Sequence, residues 1–234
     1  MILMKPKIFA IDIDGTITDN KGGRVDLDAL AALRYLVKLG HKVIYVTGRS
    51  SVEAYVLSVF GGTTRIAVGE NGGIITTGPA EHKLIGNKQK CIDAFEFLKT
   101  KIPEAIEKPV FPRLTEVVLE RNFDVNLGKK LFAENNLDVT LTDSQYAYHI
   151  NSKGVDKASG FLEIMNMFSA KKEDIIAIGD SETDVPLFKL AGTSVALGNA
   201  PQDVQSKATI TVQGHAGDGM IEALEAVQLK LLVE

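Results

Sequence analysis

The sequence has little cysteine, no long apolar run and no excess of positive charge. The single cysteine among 234 residues excludes a disulfide framework and fits a reducing compartment. No apolar run approaches the roughly 20 residues of a membrane span. No signal peptide is visible before the first apolar run at residue 8. We therefore expect a cytoplasmic protein with no membrane partner.

Charge and composition exclude two further classes. Lys and Arg total 26 against 30 Asp and Glu, a formal net charge of −4, and no basic stripe is present. Nucleic acid is therefore not an expected partner. Hydrophobic residues make up 45% and charged residues 24%, close to globular averages, which argues against disorder. The length fits one large domain, or a medium domain with a small second one.

Alternating apolar runs and amphipathic stretches predict an α/β fold. Continuous apolar runs at 8–11, 43–46 and 175–178 are typical of strands buried on both faces. Asp26 can cap a helix that follows the first run, and Ser50 has the spacing of a capping box with the glutamate three residues later. The alternation predicts a Rossmann-like, doubly wound, mostly parallel sheet with helices on both faces.

The middle of the chain has a different pattern. A helix with Cys91 on its apolar face is followed by period-2 alternation at 114–120 and 140–150, with a second helix at 125–135 between them. This αββαββ-like block predicts a small α+β cap domain at 78–152, inserted between core segments 1–77 and 153–234. On its apolar helix face, the cysteine is expected to be core packing.

Polar segments follow each of the three apolar runs. They are Asp12-Ile13-Asp14-Gly15-Thr16, Thr47-Gly48-Arg49-Ser50 and Gly179-Asp180-Ser181-Glu182-Thr183-Asp184. In open α/β sheets ligands bind beyond the carboxyl ends of the strands, so these segments are expected to converge on one edge.

Four carboxylates in this group indicate a metal site. Asp12 and Asp14 are two residues apart and can face the same way, and Asp180 and Asp184 would join them. Such a group repels itself unless a cation compensates. Without His or Cys in these segments, all-oxygen ligands favour Mg²⁺. The alternative is that Asp180 and Asp184 are only helix-cap and first-turn acids.

Lys157 is a candidate phosphate ligand because its position breaks a local rule. It lies in the first turn of a predicted helix, where a cation opposes the macrodipole. An ammonium beside a helix N-terminus can bind a doubly charged phosphoryl group. The alternatives are a solvated surface lysine, or the nearby Lys153 in the same role.

These motifs, in this order, resemble those of the haloacid dehalogenase-like phosphatase superfamily over essentially the whole chain. The inserted block is similar to the type-two cap of its Cof-like group. The segments 69–73 and 198–200 are similar to that group's loop before the cap and a loop near its end. The short cap is most similar to that of the archaeal phosphoglycolate phosphatases.

The resemblance implies a Mg²⁺-dependent phosphatase. Asp12 would be the nucleophile that forms an aspartyl-phosphate. Asp14 would protonate the leaving oxygen and then activate the hydrolytic water. Mg²⁺ would be held by Asp12, the backbone carbonyl of Asp14 and Asp180, while Asp184 would ligate through water or orient that shell.

The resemblance also implies a small phosphorylated metabolite as the partner, most simply 2-phosphoglycolate. Thr47, Gly48 and Lys157 would hold the phosphoryl oxygens, and Asn71 lies in the loop that resembles the group's loop before the cap. Arg113 suits a substrate carboxylate. Further cap candidates, each of which also reads as an ordinary sheet residue, are Tyr146, Tyr148 and His149.

Two departures from the family pattern leave room for a sugar phosphate. Arg49 stands where the archaeal group usually has Asn, and Thr183 stands where Asn is more frequent. A phosphomutase that keeps phospho-Asp12 is a second enzyme alternative, and a receiver-type phosphorylation switch is the non-enzyme alternative. The sequence leaves a homodimer open.

Overall fold

The computed structural model describes residues 5–19, 23–144 and 146–233, with side chains of the last helix described as far as residue 228. Its strands are β1 Ile8–Ile11, β2 Lys42–Val46, β3 Ala67–Gly69, β4 Ile74–Gly78, β5 Glu81–Leu84, β6 Val117–Leu119, β7 Val139–Asp143, β8 Tyr148–Ser152, β9 Ile175–Gly179, β10 Thr193–Ala196 and β11 Ile210–Thr211. Its α-helices are α1 Leu27–Lys38, α2 Ser51–Gly61, α3 Lys88–Lys101, α4 Val125–Glu134, α5 Lys157–Met167, α6 Val185–Leu190, α7 Gln202–Gln205 and α8 Ala216–Val233. Single 3₁₀ turns lie at Glu70–Gly72, Lys172–Asp174 and Glu182–Asp184.

Eight strands form one large sheet in the order β11-β10-β9-β1-β2-β3-β4-β5. The strands from β11 to β3 are parallel, and β4 and β5 add an antiparallel edge. Ile11 of β1 pairs with Tyr45 of β2 and with Ile178 of β9, so these three strands end level with one another. The predicted α/β fold with a mainly parallel sheet is confirmed.

The sheet is covered on both faces, as its continuous apolar strands require. Ile11 lies in one apolar cluster with Leu33 of α1, and the adjacent Ala10 lies in the other with Phe161 of α5. The predicted helix caps are also confirmed. The Asp26 carboxylate accepts from the first turn of α1, and Ser50 forms a capping box at α2.

A second, antiparallel sheet has the order β6-β8-β7. Helices α3 and α4 pack on it around a separate apolar core that contains Cys91, which confirms the packing role expected for the cysteine. The order of elements is αβαββ rather than the predicted αββαββ. Residues 81–84 lie within the range predicted for the cap, yet they pair with β4 in the large sheet. The division at 78 and 152 into core and cap therefore stays a proposal.

Among the helices that the structure describes, none combines the length and the apolar character needed to cross a membrane.

Candidate functional site

Buried carboxylates converge on one lysine at the carboxyl edge of the large sheet. Asp12 follows β1, and its amide still donates to the Ile178 carbonyl of β9 at 3.0 Å. The Lys157 Nζ donates to Asp12 Oδ1 at 2.8 Å and to Asp184 Oδ1 at 2.7 Å. Oxygens of Asp12, Asp180 and Asp184 lie within 4.8 Å of one another. We call these three aspartates and Lys157 the acidic cluster.

The position of Lys157 depends on a close backbone approach. Asp156 caps α5, and Lys157 is the first residue of that helix. Gly72 has φ +96°, and a Cβ there would lie 1.9 Å from the Asp156 carbonyl oxygen. Glycine therefore allows the 70–72 turn to pack against the start of α5. The alternative lysine, Lys153, is exposed, whereas the Lys157 side chain is only 2% exposed.

Neighbouring polar groups fix the two later aspartates. Asp184 Oδ2 accepts from the Asp180 and Ser181 amides at 3.2 and 3.0 Å, so Asp184 caps its own turn while its other oxygen binds the lysine. Asp180 accepts from Thr16 Oγ1 at 3.1 Å and from Asn199 Nδ2 at 2.7 Å. Asp184 therefore caps its turn, as the alternative interpretation expected, and also belongs to the acidic cluster.

The electrostatics of the acidic cluster favour a cation. Three carboxylates and one ammonium leave two formal negative charges, and Asp12, Asp184 and Lys157 are buried while Asp180 is half-buried. Burial raises the pKa of Asp12 well above its usual range, and the charges of Asp184 and Asp180 raise it further against the opposing effect of Lys157. Burial and the Asp184 charge raise the pKa of Asp180 to about 7. Burial opposes protonation of Lys157, but the Asp12 and Asp184 charges outweigh it and raise its pKa.

The donor set fits a hard divalent ion. All candidate ligand atoms are carboxylate oxygens, and two positive charges would balance the cluster. The Asp14 carboxylate lies outside this group of ligand atoms. The contribution expected of Asp14, its backbone carbonyl, stays a prediction.

Asp14 instead forms a bidentate ion pair. Arg49 Nε donates to Asp14 Oδ2 at 2.8 Å, and Nη2 donates to Oδ1 at 2.7 Å. Arg49 Nη1 also donates to Glu53 Oε1 at 3.1 Å. Gly23 leaves little room here, because a Cβ at this glycine would lie 2.9 Å from Arg49 Nη2. Both oxygens of the predicted acid/base are therefore engaged by one guanidinium.

The remaining predicted substrate residues form a connected group beside β2. Thr47 is fully buried, and the backbone N–H of Asn71 donates to the Thr47 carbonyl at 3.0 Å. Arg113 Nη1 donates to the Gly48 carbonyl at 2.7 Å. A Cβ on Gly48 would lie 3.1 Å from Asn71 Oδ1, which is buried without a hydrogen-bond partner. The structure thus brings Thr47, Gly48, Asn71 and Arg113 together.

Arg113 belongs to a buried network centred on Glu116, which has no solvent exposure. Glu116 Oε1 accepts from Arg113 at 3.1 Å, and Oε2 lies 3.0 Å from His149 Nδ1 and from Asn151 Nδ2. Burial raises the pKa of Glu116, but the charges of His149 and Arg113 outweigh it and hold the pKa below its usual value. His149, a residue of β8, is therefore buried within this network.

A second buried carboxylate joins the antiparallel layer to the large sheet. Glu70 accepts from the Leu114 and Thr115 amides at 2.9 and 2.7 Å and from Thr115 Oγ1 at 2.6 Å. The segment that carries Arg113 is thereby held against the 70–72 turn. The other two cap candidates lie elsewhere, since Tyr148 donates to the Phe123 carbonyl and Tyr146 is 65% exposed.

Sequence reasoning missed several residues of this region. Asn199 holds Asp180 and also donates to the Gly15 carbonyl at 2.9 Å. The sequence feature that could have identified Asn199 is the 198–200 segment, which resembles a loop of the Cof-like group. Arg49 was noted only as a departure, and no local pattern marks Glu116 as the centre of a network.

Comparison with known proteins bears on the whole chain. The family model of haloacid dehalogenase-like hydrolases matches residues 9–108 and 117–224. A phosphoglycolate phosphatase of Nitrosopumilus maritimus is 62% identical over 222 residues, which cover 95% of this chain and 96% of the relative.

Solved structures show the same fold. The crystal structure of Thermoplasma acidophilum 0175 has a TM-score of 0.84 at 22% identity, covering 96% of this chain and 99% of that one. A haloacid dehalogenase subclass IIB sugar phosphatase, BT4131, has a TM-score of 0.78 at 18% identity, covering 95% and 99%. With a family model matched over most of its length and a near relative that it covers almost completely, the chain belongs to the haloacid dehalogenase-like hydrolase family.

Proposed function

We propose that this protein is a Mg²⁺-dependent cytoplasmic phosphatase that hydrolyses a small phosphomonoester, with 2-phosphoglycolate as the leading substrate. The observation that carries the proposal is the acidic cluster, in which Asp12 and Lys157 meet at the carboxyl edge of the sheet. The relative that is 62% identical and named phosphoglycolate phosphatase supports the choice of substrate.

In the first step Asp12 attacks phosphorus, and the bond to the leaving oxygen breaks. An aspartyl-phosphate forms on Asp12, and the leaving oxygen takes a proton from Asp14. Lys157, already 2.8 Å from Asp12, neutralises charge on the phosphoryl oxygens, and Thr47 with the Gly48 backbone holds the group in line. Asp14 becomes available to donate only after its ion pair with Arg49 opens.

In the second step a water molecule attacks the aspartyl-phosphate. Asp14, now deprotonated, accepts the proton of that water, and phosphate leaves with regeneration of Asp12. Asp12, Asp180, the Asp14 carbonyl and, directly or through water, Asp184 would hold Mg²⁺. When bound, the ion supplies the positive charge that keeps Asp12 ionised and neutralises the phosphoryl oxygens.

Arg113 is proposed to recognise the substrate carboxylate. It is a cap cation that contacts the Thr47–Gly48 segment directly, and its planar fork suits a carboxylate. Asn71 Oδ1, which is buried beside Gly48 without a hydrogen-bond partner, is proposed to accept a hydrogen bond from a polar group of the substrate.

The test is release of inorganic phosphate from a panel of phosphorylated metabolites, with Mg²⁺ and with chelator. We expect turnover of 2-phosphoglycolate that requires Mg²⁺ and is abolished by Asp12→Asn. Asp138→Asn is a matched control, since Asp138 is a surface partner of Lys90. Phosphate release by the Asp12 variant would refute the nucleophile assignment. Transfer of the group to a sugar without free phosphate would favour a phosphomutase.

A further inference from the structure

The side-chain amide of Asn199 joins three separate segments of the chain at the acidic cluster. Its Nδ2 donates to Asp180 Oδ2 at 2.7 Å and to the Gly15 carbonyl at 2.9 Å, and its Oδ1 accepts from the Ala216 N–H at 3.0 Å. The two backbone partners define the orientation of the amide, because a carbonyl requires a donor and an N–H requires an acceptor. Both hydrogens of Nδ2 are thus used by the two segments that carry the predicted metal ligands.

The loop that carries Asn199 is held by close contacts on both sides. A Cβ on Gly198 would lie 2.1 Å from the Gln213 carbonyl oxygen, so glycine allows a close backbone approach before Asn199. After it, Gln205 Nε2 donates to the Ala200 carbonyl at 2.8 Å. The amide therefore extends from a loop whose backbone is fixed by its neighbours.

The Asp180 carboxylate differs from the other two of the acidic cluster because no cation bonds it. Lys157 bonds the other two aspartates. In the described part of the chain, the Asp180 carboxylate accepts only from two neutral groups, Thr16 Oγ1 at 3.1 Å and Asn199 Nδ2 at 2.7 Å. Each of its oxygens thus has one donor, and the bond from Asn199 is the shorter. Without Asn199, Asp180 Oδ2 would have no donor among these residues.

The separation between Asp180 and the loop after β1 bears on the choice of metal ion. Gly15 adjoins Asp14, whose carbonyl is expected to hold the ion, so the Asn199 amide links two sides of the proposed metal site. Mg²⁺ requires near-ideal octahedral geometry with short bonds, whereas Ca²⁺ accepts variable geometry and longer bonds. A looser Asp180 therefore penalises Mg²⁺ more than Ca²⁺.

We propose that Asn199 is a positioning residue that favours Mg²⁺ over Ca²⁺ by fixing Asp180 against the loop after β1. The inference rests on the proposed function, since it requires a divalent ion at the acidic cluster. Loss of a group that orients a metal ligand typically weakens metal binding by about 10–100-fold. Loss of the Asn199 amide should weaken Mg²⁺ binding within that range and weaken Ca²⁺ binding by a smaller factor.

The test measures the affinity of the metal-free full chain for each ion separately. The thermal unfolding midpoint is recorded at rising Mg²⁺ or Ca²⁺ concentration, and its increase gives the dissociation constant. Asn199→Ala should lower Mg²⁺ affinity about tenfold or more and shift the ratio of the two affinities towards Ca²⁺. Asn122→Ala is the matched control, since the Asn122 amide also donates to a backbone carbonyl, that of Glu104, between β6 and α4. This control should bind both ions as the wild type does.

Asn199→Asp separates the positioning of Asp180 from support of α8, because it keeps an acceptor for the Ala216 N–H and removes both donor bonds. Its added charge raises affinity for both ions, so the affinity ratio is the readout, and it should again shift towards Ca²⁺. Unchanged Mg²⁺ affinity in Asn199→Ala, or an unchanged ratio in either folded variant, overturns the inference and leaves the proposed function standing. A wild type that binds no Mg²⁺ overturns both.

Discussion

Replacing Lys157 with methionine removes the ammonium from the acidic cluster and keeps most of the side-chain volume. The ammonium makes two charge-assisted hydrogen bonds, of 2.8 and 2.7 Å, and is almost fully buried. Its loss leaves Asp12 and Asp184 without their bonded cation, with Asp180 close by. Removing one partner from a buried ion pair typically costs about 3–5 kcal/mol. We therefore expect the free energy of unfolding in chelator to fall by about that amount.

The same substitution should reduce turnover by roughly a hundredfold or more. A preorganised donor to a phosphoryl oxygen is typically worth about 3 kcal/mol in the transition state. Mg²⁺ partly replaces the missing positive charge, so the loss of stability should be smaller with Mg²⁺ than with chelator, while the loss of rate persists.

Urea unfolding with and without Mg²⁺ and phosphate release under saturating substrate provide the two measurements. Lys153→Met is the matched control, since this lysine lies four residues earlier, is exposed, and should be replaceable with little effect on either quantity. A Lys157 variant as stable and as active as the Lys153 variant would refute the reasoning, because a lysine within the cluster cannot be neutral in both.

Three further changes test other parts of the site. Because the pKa of Asp180 is about 7 in the folded protein against an ordinary 3.8, the metal-free folded state binds more protons between those values. Its free energy of unfolding in chelator should therefore fall as pH rises from 4 to 7, by at most about 1.4 kcal/mol per pH unit from this group. The same pH dependence in Asp180→Asn, which lacks the titrating carboxyl, would contradict this assignment. Gly72→Ala should destabilise the fold by well over 1 kcal/mol in urea unfolding, because the added Cβ would lie 1.9 Å from a carbonyl oxygen. Gly154→Ala is the control, since Gly154 has φ +81° with open space around it and its substitution adds backbone strain alone. Equal losses of stability in the two variants would argue against the close approach at Gly72. Arg49→Lys keeps the charge but loses the two-pronged contact with Asp14, so the pH profile of kcat should change more than KM, and an unchanged profile would argue against a role for the pair.

Local patterns and strand ends predicted the parts of the site that lie close in sequence or at one sheet edge. Asp12 follows β1 and Asp180 follows β9, and these two strands are parallel neighbours in the sheet. The apolar runs in the sequence are therefore enough to predict that the two aspartates lie at the same sheet edge. Lys157 attracts attention in the sequence because a cation at a helix start breaks a local preference, and the structure places it against Asp12 and Asp184. Its role as a phosphate ligand stays a prediction. The capping box at Ser50 is likewise local and matched the structure.

Long-range polar pairs could not be predicted in the same way. Glu116 contacts His149 and Asn151 of β8, more than 30 residues away in sequence, and its own sequence neighbours show only strand alternation. The pairing of Arg49 with Asp14 depends on how two loops meet at the sheet edge. Strand β5 was missed because all four of its residues are exposed, which leaves no buried face to produce an apolar alternation.

The central claim is that Asp12 carries the phosphoryl group during turnover. Rapid acid quenching of the enzyme with radiolabelled 2-phosphoglycolate and Mg²⁺, followed by peptide mapping, tests it directly. We predict label on the peptide that contains Asp12, and none in the Asp12→Asn variant. Turnover with no label on the protein, or with label on another residue, would contradict the account.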